Sequence, residues 1–363
     1  MSESSVDNQE YLEVRRASDS DAVLWDQFVS SHPNASPYHR WAWKLAMEDS
    51  YGLKTHYYIA ISQRDGIAGV LPAARIPSLL GASRTCSLPY CDLGQPLTVA
   101  QHIADRLLET LQRDENVIHQ VRASCDVESS LNTVEPKTGQ KFRLLLDLPE
   151  NPADLFSGFK SKHRSQINKA KKNGLVATLG NSPYRVKQFY SVFTRNMRNL
   201  GSPTHSLAWF LAIAQHYADN CTVGLVMHGD EVIAGGLVLF TPDKAAIPWA
   251  STLREFNKLS PNMLLYWSLL EHATERKCKQ FDFGRSSYGE GTYRFKTQWG
   301  AEPLALRWVN YDKDGNTEEV MLQHQQSGNL RGTLRRTLEA VWRHVPLPVT
   351  IALGSRFRPF VSL

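Results

Sequence analysis

The sequence predicts a mixed α/β protein with two domains and a basic helical tail. Its 363 residues are enough for about two domains of ordinary size. Residues 10–152 and residues 153–311 show the same order of patterns: a helix, a strand hairpin, a second helix and a strand. This shared order indicates two copies of one α/β topology, although no sequence repeat is visible. Residues 312–363 form the tail.

The first section begins with a helical pattern over residues 22–29. Two segments in which apolar and polar residues alternate flank Arg64-Asp65-Gly66, which is typical of a hairpin turn. The Pro-Glu-Asn-Pro sequence at 149–152 is typical of a linker, so the domain boundary is expected there. Further predicted elements are strands at 56–61, 67–72, 117–122 and 142–146 and a helix at 103–113.

The second section begins with a basic helix, residues 160–172, which Asn173-Gly174 should end. Ser260 at the N-cap and Pro261 at the first helical position predict a long helix after them. The other predicted elements are a helix at 185–200, strands at 222–228, 231–240 and 245–250, and a last strand at 280–284 that ends at Gly284.

The composition excludes several classes of protein. With 42% hydrophobic and 21% charged residues, the chain has the composition of a folded protein. No run approaches the ~18 apolar residues of a membrane-spanning helix, and the polar N-terminus lacks a secretory signal, so a cytoplasmic protein is expected. The five scattered cysteines show no zinc-site spacing, and no metal is expected. No GxGxxG, GxxxxGK[ST], HExxH or GxSxG motif is present.

The net charge of +5 lies entirely in the tail. Between Gly328 and Leu363 there are six arginines and one glutamate, so the rest of the chain is electrically neutral. An apolar stripe at helical spacing runs between these arginines. Such a helix could pack on the body or lie on an anionic membrane surface, and we favour packing with some membrane contact. The stripe consists of Leu330, Leu334, Leu338, Val341 and Trp342.

The basic helix holds six Lys and Arg residues and no acidic residue. Lys160, Arg164, Ile167 and Lys171 recur at helical spacing and would share one face. Like charges four residues apart destabilise an isolated helix, so a helix that keeps them often faces a phosphate or an RNA backbone. A basic face that meets only solvent is an equally good interpretation.

The residues from Phe281 to Gly300 form the second candidate cluster. Ligands often bind at strand ends in open α/β sheets, and glycines and polar side chains follow this strand. If the two phenylalanines beside Asp282 face the core, Asp282 can orient Arg285 or Lys296 on the other face of the sheet. A structural Asp–Arg pair with a tight turn is the competing interpretation. The following glycines are spaced one residue too widely for the pyrophosphate loop of acetyl-CoA-dependent acetyltransferases.

Several segments resemble the Fem family of aminoacyltransferases and their FemAB-like relatives. The segment FKSKHRSQINKAKKNG is similar to the one that opens the family's second domain, and residues 235–300 are similar to its acetyltransferase-like (GNAT) module. Residues 38–43, 87–94 and 195–205 resemble further landmarks, so the resemblance covers about residues 10–310. The tail resembles FemAB-like proteins that accompany exosortase and exopolysaccharide gene clusters.

The resemblance implies two tandem GNAT-like domains, at 10–152 and 153–311, and a basic amphipathic appendage at 312–363. It implies an N-acyltransferase that transfers an acyl or aminoacyl group to an amine of a cell-envelope or exopolysaccharide precursor. The donor substrate would be acyl-CoA or aminoacyl-tRNA, with no bound cofactor. The acceptor would be a small molecule or a lipid-linked glycan or peptide, met in the cytoplasm or at the inner face of the membrane.

Two other functions stay open. One is an aminoacyl-tRNA-dependent enzyme that acts on a peptidoglycan precursor, and the other is a non-catalytic protein that binds a polyanionic glycan precursor. Well-known tRNA-dependent Fem proteins often carry a coiled-coil arm, and no heptad stretch of adequate length occurs here. The neutral body also offers no broad basic surface for tRNA.

The resemblance further implies roles for individual residues. Lys296, in the family's Phe-Lys motif, would stabilise the negative charge that develops on the carbonyl oxygen during aminolysis. Asp282 would help to remove a proton from the acceptor amine, whose pKa is ~10.4 when it belongs to a lysine. Lys160, Lys162 and Arg164 would bind phosphates of the donor or acceptor. The candidates for holding the acceptor are Arg285, Ser286 and Tyr293.

Overall fold

The structure is a computed structural model. Helices and strands alternate through its described part, so the predicted mixed α/β class is confirmed. Three predicted features lie partly outside that part: Asp65 of the hairpin turn, the first two residues of the strand at 117–122, and the side chains of Leu330 and Leu334. The residues described are 12–64, 66–78, 83–115, 119–124, 138–320 and 330–362, with the backbone alone at 330–336.

The first half of the chain folds according to its local patterns. Trp25 and Val29 lie four residues apart on α1 (Ala22–Ser31) and are both buried, so the helix presents one apolar face to the core. Gly52, with a φ of +61°, ends α2 (Trp41–Tyr51) in a left-handed conformation that suits glycine. The other elements are β1 (Leu12–Arg16), β2 (Lys54–Thr55), β3 (Tyr58–Ser62), β4 (Gly66–Leu71), β5 (Ala74–Ile76), β6 (Arg84–Cys86), β7 (Leu97–Thr98), α3 (Gln101–Glu115), β8 (His119–Ser124) and β9 (Lys141–Asp147).

The second half follows one of its two predicted capping signals. Gly174, with a φ of +77°, follows the basic helix as predicted, whereas the side chain of Ser260 makes no capping hydrogen bond. The elements up to the last strand of the predicted core are α4 (Pro152–Gly158), α5 (Ser161–Lys172), β10 (Leu175–Gly180), α6 (Pro183–Leu200), α7 (Leu207–Tyr217), β11 (Cys221–His228), β12 (Glu231–Phe240), β13 (Lys244–Thr252), α8 (Pro261–Glu275) and β14 (Gln280–Ser287). They are followed by α9 (Gly291–Thr297), β15 (Glu302–Tyr311), β16 (Thr317–Val320), α10 (Leu330–His344) and α11 (Leu347–Phe357).

One sheet of twelve strands, counted over the described residues, runs through both halves of the chain. Its order is β10-β11-β12-β13-β14-β9-β15-β8-β6-β5-β2, with β16 paired to β15. Strand β9 precedes the predicted boundary at residue 152, yet it lies between β14 and β15 and is antiparallel to both. The two predicted domains therefore share this sheet, and their division at residue 152 stays a prediction. Strands β1, β3, β4 and β7 form a separate sheet.

Strands β13 and β14 are parallel neighbours that separate along their length. The registered pairs between them end at Ala246 and Asp282, although both strands continue. Beyond Asp282 the register of β14 against β9 also shifts, and Gly284 within this bulge has a φ of +70°. A wedge therefore opens between the C-terminal parts of β13 and β14.

The bulge also corrects a predicted boundary. Strand β14 does not end at Gly284, because it resumes pairing with β9 at Arg285 and continues to Ser287. Residues 291–297, for which the sequence analysis predicted no helix, form the short helix α9.

The tail packs on the body through α10 and α11, which both lie against α6. Gly354 of α11 comes so close to Thr204 that an added Cβ would stand 2.7 Å from the backbone nitrogen of that residue. Two residues of the predicted apolar stripe, Leu338 and Val341, face solvent instead, with exposed fractions of 60% and 57%. No helix in the described part of the chain is long and apolar enough to cross a membrane.

An aromatic cluster joins α2 of the first half to α7 of the second. The buried indole of Trp209 meets Trp43 edge-on, with ring centres 5.1 Å apart, and stacks on Tyr51 at 5.5 Å. Tyr90 lies 5.3 Å from the same ring. Such pairs add to the stabilisation that burial alone gives, so the cluster fixes the two halves against each other.

Replacing Trp209 with alanine should lower the free energy of unfolding by about 3–5 kcal/mol, because a buried ring is lost and a cavity remains. Chemical denaturation followed by circular dichroism measures this loss. Tyr184→Ala is the matched control, since that ring is 70% exposed and its removal should cost little. Equal stability of the two variants would contradict the role given to the cluster.

Candidate active site

The side chain of Lys296 lies at the wedge. Helix α9 follows β14 after a short turn and folds back onto the strand, which brings this lysine to the strand's carbonyl groups. Its Nζ donates to the carbonyl oxygen of Gly284 at 3.1 Å and to that of Arg285 at 2.9 Å. An ammonium group has three N–H donors, so one remains for a further acceptor.

Burial lowers the pKa of Lys296 to about 8. The carboxylates of Asp282 and Asp92 oppose this shift, and the guanidinium of Arg285 adds to it. A lysine with this pKa is protonated at neutral pH, yet a small change of surroundings shifts its proton equilibrium. The predicted place of Lys296 at a reacting centre, and its role there, stay predictions.

Asp282 is buried on β14, and both of its carboxylate oxygens accept hydrogen bonds. One comes from Arg143 Nε at 2.7 Å and the other from the backbone N–H of Gly284 at 2.8 Å. The expectation that Asp282 orients Arg285 or Lys296 is thus wrong, because a buried carboxylate pairs with the buried guanidinium opposite it, here Arg143 on β9. The competing interpretation of a structural Asp–Arg pair fits the structure, but the arginine is Arg143 on β9.

Arg285 meets a segment of the first half, Ser87–Gly94, which we call the Asp92 loop. Its Nη1 lies 3.2 Å from Oδ1 of Asp92, and its guanidinium lies 5.7 Å from the centre of the Trp308 ring. Trp308 Nε1 also donates to the backbone oxygen of Asp92 at 3.2 Å. The sequence analysis gave Asp92 no role, since no local pattern points to a partner so far along the chain.

Ser286 and Tyr293 differ in their access to solvent. Ser286 is buried, and its Oγ has no hydrogen-bond partner among the described residues. Tyr293 is partly exposed, with its ring centre 5.2 Å from Tyr288 and 6.2 Å from Phe142. Burial raises the pKa of Tyr293. A ligand that arrives from solvent can therefore reach Tyr293 directly. The Oγ of Ser286 is a buried polar atom without a partner among the described residues.

The predicted basic face on α5 is not one surface. Lys160 and Lys162, at the start of the helix, are exposed. Arg164 is tied down, because its Nη1 donates to two backbone carbonyls at the end of α4, at 2.8 and 2.5 Å. Ile167 is fully buried and separates Arg164 from Lys171. The two N-terminal lysines thus stay available to an anion, and Arg164 has a structural partner instead.

Helix α5 contacts the site through His163, which the sequence analysis did not single out. Its imidazole packs edge-on against Trp299, with ring centres 4.0 Å apart, and burial lowers its pKa to about 4. Trp299 follows α9 directly, so the basic helix and the helix of Lys296 share one packed contact. A histidine between lysine and arginine gives no sequence signal of burial.

The connection between β13 and α8 is another feature that the sequence analysis missed. Residues Arg254–Leu259 form a 3-10 turn, and Arg254 and Lys258 within it are exposed. Ser260 follows with a φ of +64°. The turn stands at the open end of the wedge, where the N-terminus of α8 adds its positive dipole end. The sequence signal there, Ser260-Pro261, predicted the start of a helix and no more.

Residues 157–297 match the family model described as an acetyltransferase (GNAT) domain. They form a GNAT acetyltransferase domain. This segment contains the wedge, the bulge and Lys296, and it makes the protein an acyltransferase, as predicted. A search of the curated proteins gives no match.

Solved structures resemble the chain beyond the GNAT domain. FemX is 14% identical, with a TM-score of 0.64 over 90% of this chain and 100% of its own. L-PGS from Bacillus licheniformis is 12% identical, with a TM-score of 0.51 over 96% and 98%. The C-terminal domain of a putative lysylphosphatidylglycerol synthetase from Agrobacterium fabrum, also 12% identical, has a TM-score of 0.51 over 79% and 91%. Likeness at these identities concerns the fold, so the Fem-like fold is confirmed and the exosortase-associated subgroup stays a prediction.

Replacing Arg143 with leucine should lower the free energy of unfolding by about 3–5 kcal/mol, because Asp282 becomes a buried carboxylate without a partner. The double variant Arg143→Leu/Asp282→Leu removes both charges and should recover much of this loss. Urea denaturation of the two variants measures the difference. A double variant as unstable as the single one would show that packing, and not the ion pair, holds the bulge.

Proposed function

We propose that the GNAT domain transfers an acyl or aminoacyl group to an amine of a cell-envelope or exopolysaccharide precursor. The observation that carries this proposal is the placement of Lys296, held by the carbonyls of Gly284 and Arg285 with one N–H to spare. A wedge between two strands beside such a donor suits an acyl carbonyl group.

The reaction would proceed by aminolysis. The nitrogen of the acceptor amine attacks the acyl carbon, the new C–N bond forms, and negative charge develops on the carbonyl oxygen. The spare N–H of Lys296 donates to that oxygen, and one such donor is worth roughly 3–4 kcal/mol in the transition state. The C–S or C–O bond to the leaving group then breaks, and the proton lost by the amine ends on the departing thiol or hydroxyl.

The acceptor amine must lose a proton before it attacks, and Asp282 is the residue to which the sequence analysis assigned that step. Its two oxygens already accept hydrogen bonds from Arg143 and Gly284. A carboxylate held in this way is better suited to fix the bulge than to accept a proton. Desolvation of the amine beside Lys296 favours its neutral form without a protein base.

The donor is proposed to be acyl-CoA, the donor that GNAT folds use. Arg254, Lys258 and the N-terminus of α8 line the open end of the wedge and suit its phosphates. The likeness of the fold to FemX keeps aminoacyl-tRNA, with a peptidoglycan precursor as acceptor, as the second candidate. A purely binding protein is the third, and the match of residues 157–297 to an acetyltransferase domain speaks against it.

The acceptor is proposed to meet the exposed residues around the wedge. Tyr293 and Arg285 would hold its polar groups, and the Oγ of Ser286, which has no hydrogen-bond partner among the described residues, is a further polar atom on the same strand as Arg285. Lys160 and Lys162 would meet a phosphate of a nucleotide-linked or lipid-linked acceptor, since no acidic residue stands within the helix that carries them.

Variants of Lys296 test the catalytic assignment. Lys296→Met should abolish transfer while binding of acetyl-CoA is largely kept, because the lost interaction forms in the transition state. Lys296→Arg, which keeps the charge, should retain part of the activity. Release of free thiol from acetyl-CoA in the presence of acceptor measures transfer. Unchanged turnover of Lys296→Met would contradict the assignment of Lys296 as a catalytic residue.

The pH dependence separates two possible roles of Lys296. As an ammonium donor it must be protonated, so kcat/KM should fall as the pH rises through about 8. As a neutral base it would instead make kcat/KM rise through the same pH. Profiles of the native chain and of Lys296→Arg, whose guanidinium stays protonated, decide between them. The falling limb should be missing in the arginine variant.

A thermal-shift series identifies the donor. Acetyl-CoA, longer acyl-CoAs, a charged tRNA and a UDP-linked muropeptide are added separately to the full chain. A ligand at 100 times its dissociation constant should add about 2.7 kcal/mol of stability. Stabilisation by a CoA ester supports the acyl-CoA proposal, and stabilisation by the tRNA or the muropeptide alone would replace it with the second candidate.

We further propose that the tail touches the inner face of the membrane, where a lipid-linked acceptor lies. The inner face of α11 packs on the body, yet its outer face is apolar and exposed. The charged side chains that follow Glu339 are Arg343, Arg356 and Arg358, and positive charge beside an apolar face suits anionic lipid. The exposed apolar residues of the two tail helices are Leu338, Val341, Val349, Leu353 and Phe357.

Vesicle flotation tests this contact. The chain should float with phosphatidylglycerol vesicles, float less with phosphatidylcholine vesicles, and lose binding in Leu353→Asp. Val176→Asp is the control, since it adds the same charge at an exposed apolar residue outside the tail. If Leu353→Asp and Val176→Asp float alike, the outer face of α11 is not a lipid contact. A dimer that forms without vesicles and dissociates in Leu353→Asp would assign the face to a second copy.

A further inference from the structure

The last described residues of the chain return to the Asp92 loop. The carbonyl oxygen of Ser362 accepts a hydrogen bond from the backbone N–H of Tyr90 at 2.7 Å and another from Arg122 Nη1 at 3.1 Å. The same Nη1 donates to the carbonyls of Leu88 and Cys91 at 3.0 and 2.9 Å. One fully buried guanidinium thus ties the end of the chain to this loop.

A second arginine holds the same segment in place. Arg358 Nε donates to Nε2 of His205 at 3.0 Å, and its guanidinium lies 5.4 Å from the centre of the Tyr90 ring. Arg84 Nη2 donates to the Oγ of Ser362 at 3.1 Å. We call residues 358–362 the clasp. Arg358 anchors one end against His205 and Tyr90, and Ser362 anchors the other end on Tyr90, Arg122 and Arg84.

The Asp92 loop needs such an anchor. Tyr90 has a φ of +68°, a left-handed conformation that is costly for a bulky residue and persists only where surrounding contacts impose it. Two residues later, Asp92 forms the ion pair with Arg285. The charge of Asp92 raises the pKa of Lys296, and the charge of Arg285 lowers it. The loop therefore places the negative charge of Asp92 near Lys296.

We infer that the clasp positions Asp92 and thereby sets the charge around Lys296, so that the C-terminal segment is a positioning element of the acyltransferase site. This inference deepens the proposed function and rests on it for its meaning. The clasp acts through the loop, because its hydrogen-bond partners among the described residues are Tyr90, Arg122, His205 and Arg84, and none of these lies on β13 or β14.

The alternative is that the clasp only adds stability. The two cases differ in what happens to Lys296 when the clasp is released. A merely stabilising segment lowers the unfolding temperature and leaves the pKa of Lys296 in the folded chain unchanged. A positioning segment changes that pKa, because Asp92 moves away from the lysine.

The test titrates Lys296 directly. Lysines of the full chain are reductively methylated with ¹³C-formaldehyde, and the resonance that disappears in Lys296→Arg belongs to Lys296. Its apparent pKa is then measured in a chain that ends at Val361, which lacks the Ser362 carbonyl. We expect the pKa to fall by about one unit, the low end of what a neighbouring charge contributes.

A second variant covers the case in which the shortened chain does not fold. Arg358→Met releases the other anchor, and the loss of its own positive charge would by itself raise the pKa of Lys296. A fall in this variant therefore reports the movement of Asp92 and not the removed charge. Circular dichroism confirms that each variant is folded before it is titrated.

Asp92→Asn, alone and combined with the shortened chain, completes a double-mutant cycle. It should lower the pKa of Lys296 as the shortened chain does, and shortening the Asp92→Asn chain should add no further fall. An unchanged pKa in the folded clasp variants, or an undiminished fall in the Asp92→Asn background, would overturn the inference. The titration needs no substrate, so it separates the clasp from the proposed function: active Lys296→Met contradicts the function and leaves the titration result standing.

Discussion

The break in strand pairing at Gly284 is the constraint on which the rest of the site depends. A regular ladder would have used its carbonyl for pairing with β9, and the left-handed φ of this glycine turns the strand out of register. The carbonyl is then free to accept from Lys296, and the N–H beside it is taken by Asp282. One local irregularity thus opens the wedge, binds the lysine and fixes the carboxylate.

Neither half of the chain builds this arrangement alone. Strand β9 precedes the GNAT domain in sequence, yet it supplies Arg143, which holds Asp282. The Asp92 loop lies still earlier and supplies the partner of Arg285. The shared sheet and the aromatic cluster around Trp209 keep these pieces in place, so the first half contributes charge and register to the surroundings of Lys296 even though the family match begins at residue 157.

The sequence predicted the elements whose cause is local. The hairpin strands follow from alternation, the helix after Ser260 from Pro261 at its first position, and the end of α5 from the conformational freedom of Gly174. All three causes act within a few residues. The sequence-based prediction failed where the cause of a feature lies far away along the chain. The partner of Asp282 lies on β9 and could not be read from its neighbours, and the bulge that extends β14 depends on pairing with that same strand.

Local charge patterns misled the prediction in a related way. The stripe on α5 looked continuous because charge and spacing are visible in sequence, while burial is not. Arg164 instead satisfies carbonyls that the end of α4 leaves without partners, a need that arises only once two helices meet at that angle. Position 296 was found because a family motif marks it, and the carbonyls that hold it became visible only in the fold.

The state of Lys296 ties stability to function. A pKa lowered from 10.5 to about 8 means that the folded chain disfavours the protonated form by ~3 kcal/mol. That cost is fully present below pH 8 and disappears as the pH rises toward the ordinary value, because there the unfolded chain binds the extra proton. It is similar in size to the roughly 3–4 kcal/mol that one well-placed donor contributes to an acyl-transfer transition state. If Lys296 acts as proposed, a negative charge that develops at the wedge offsets the burial cost at the moment of reaction, so a lysine that weakens the resting fold would serve as a donor to the transition state.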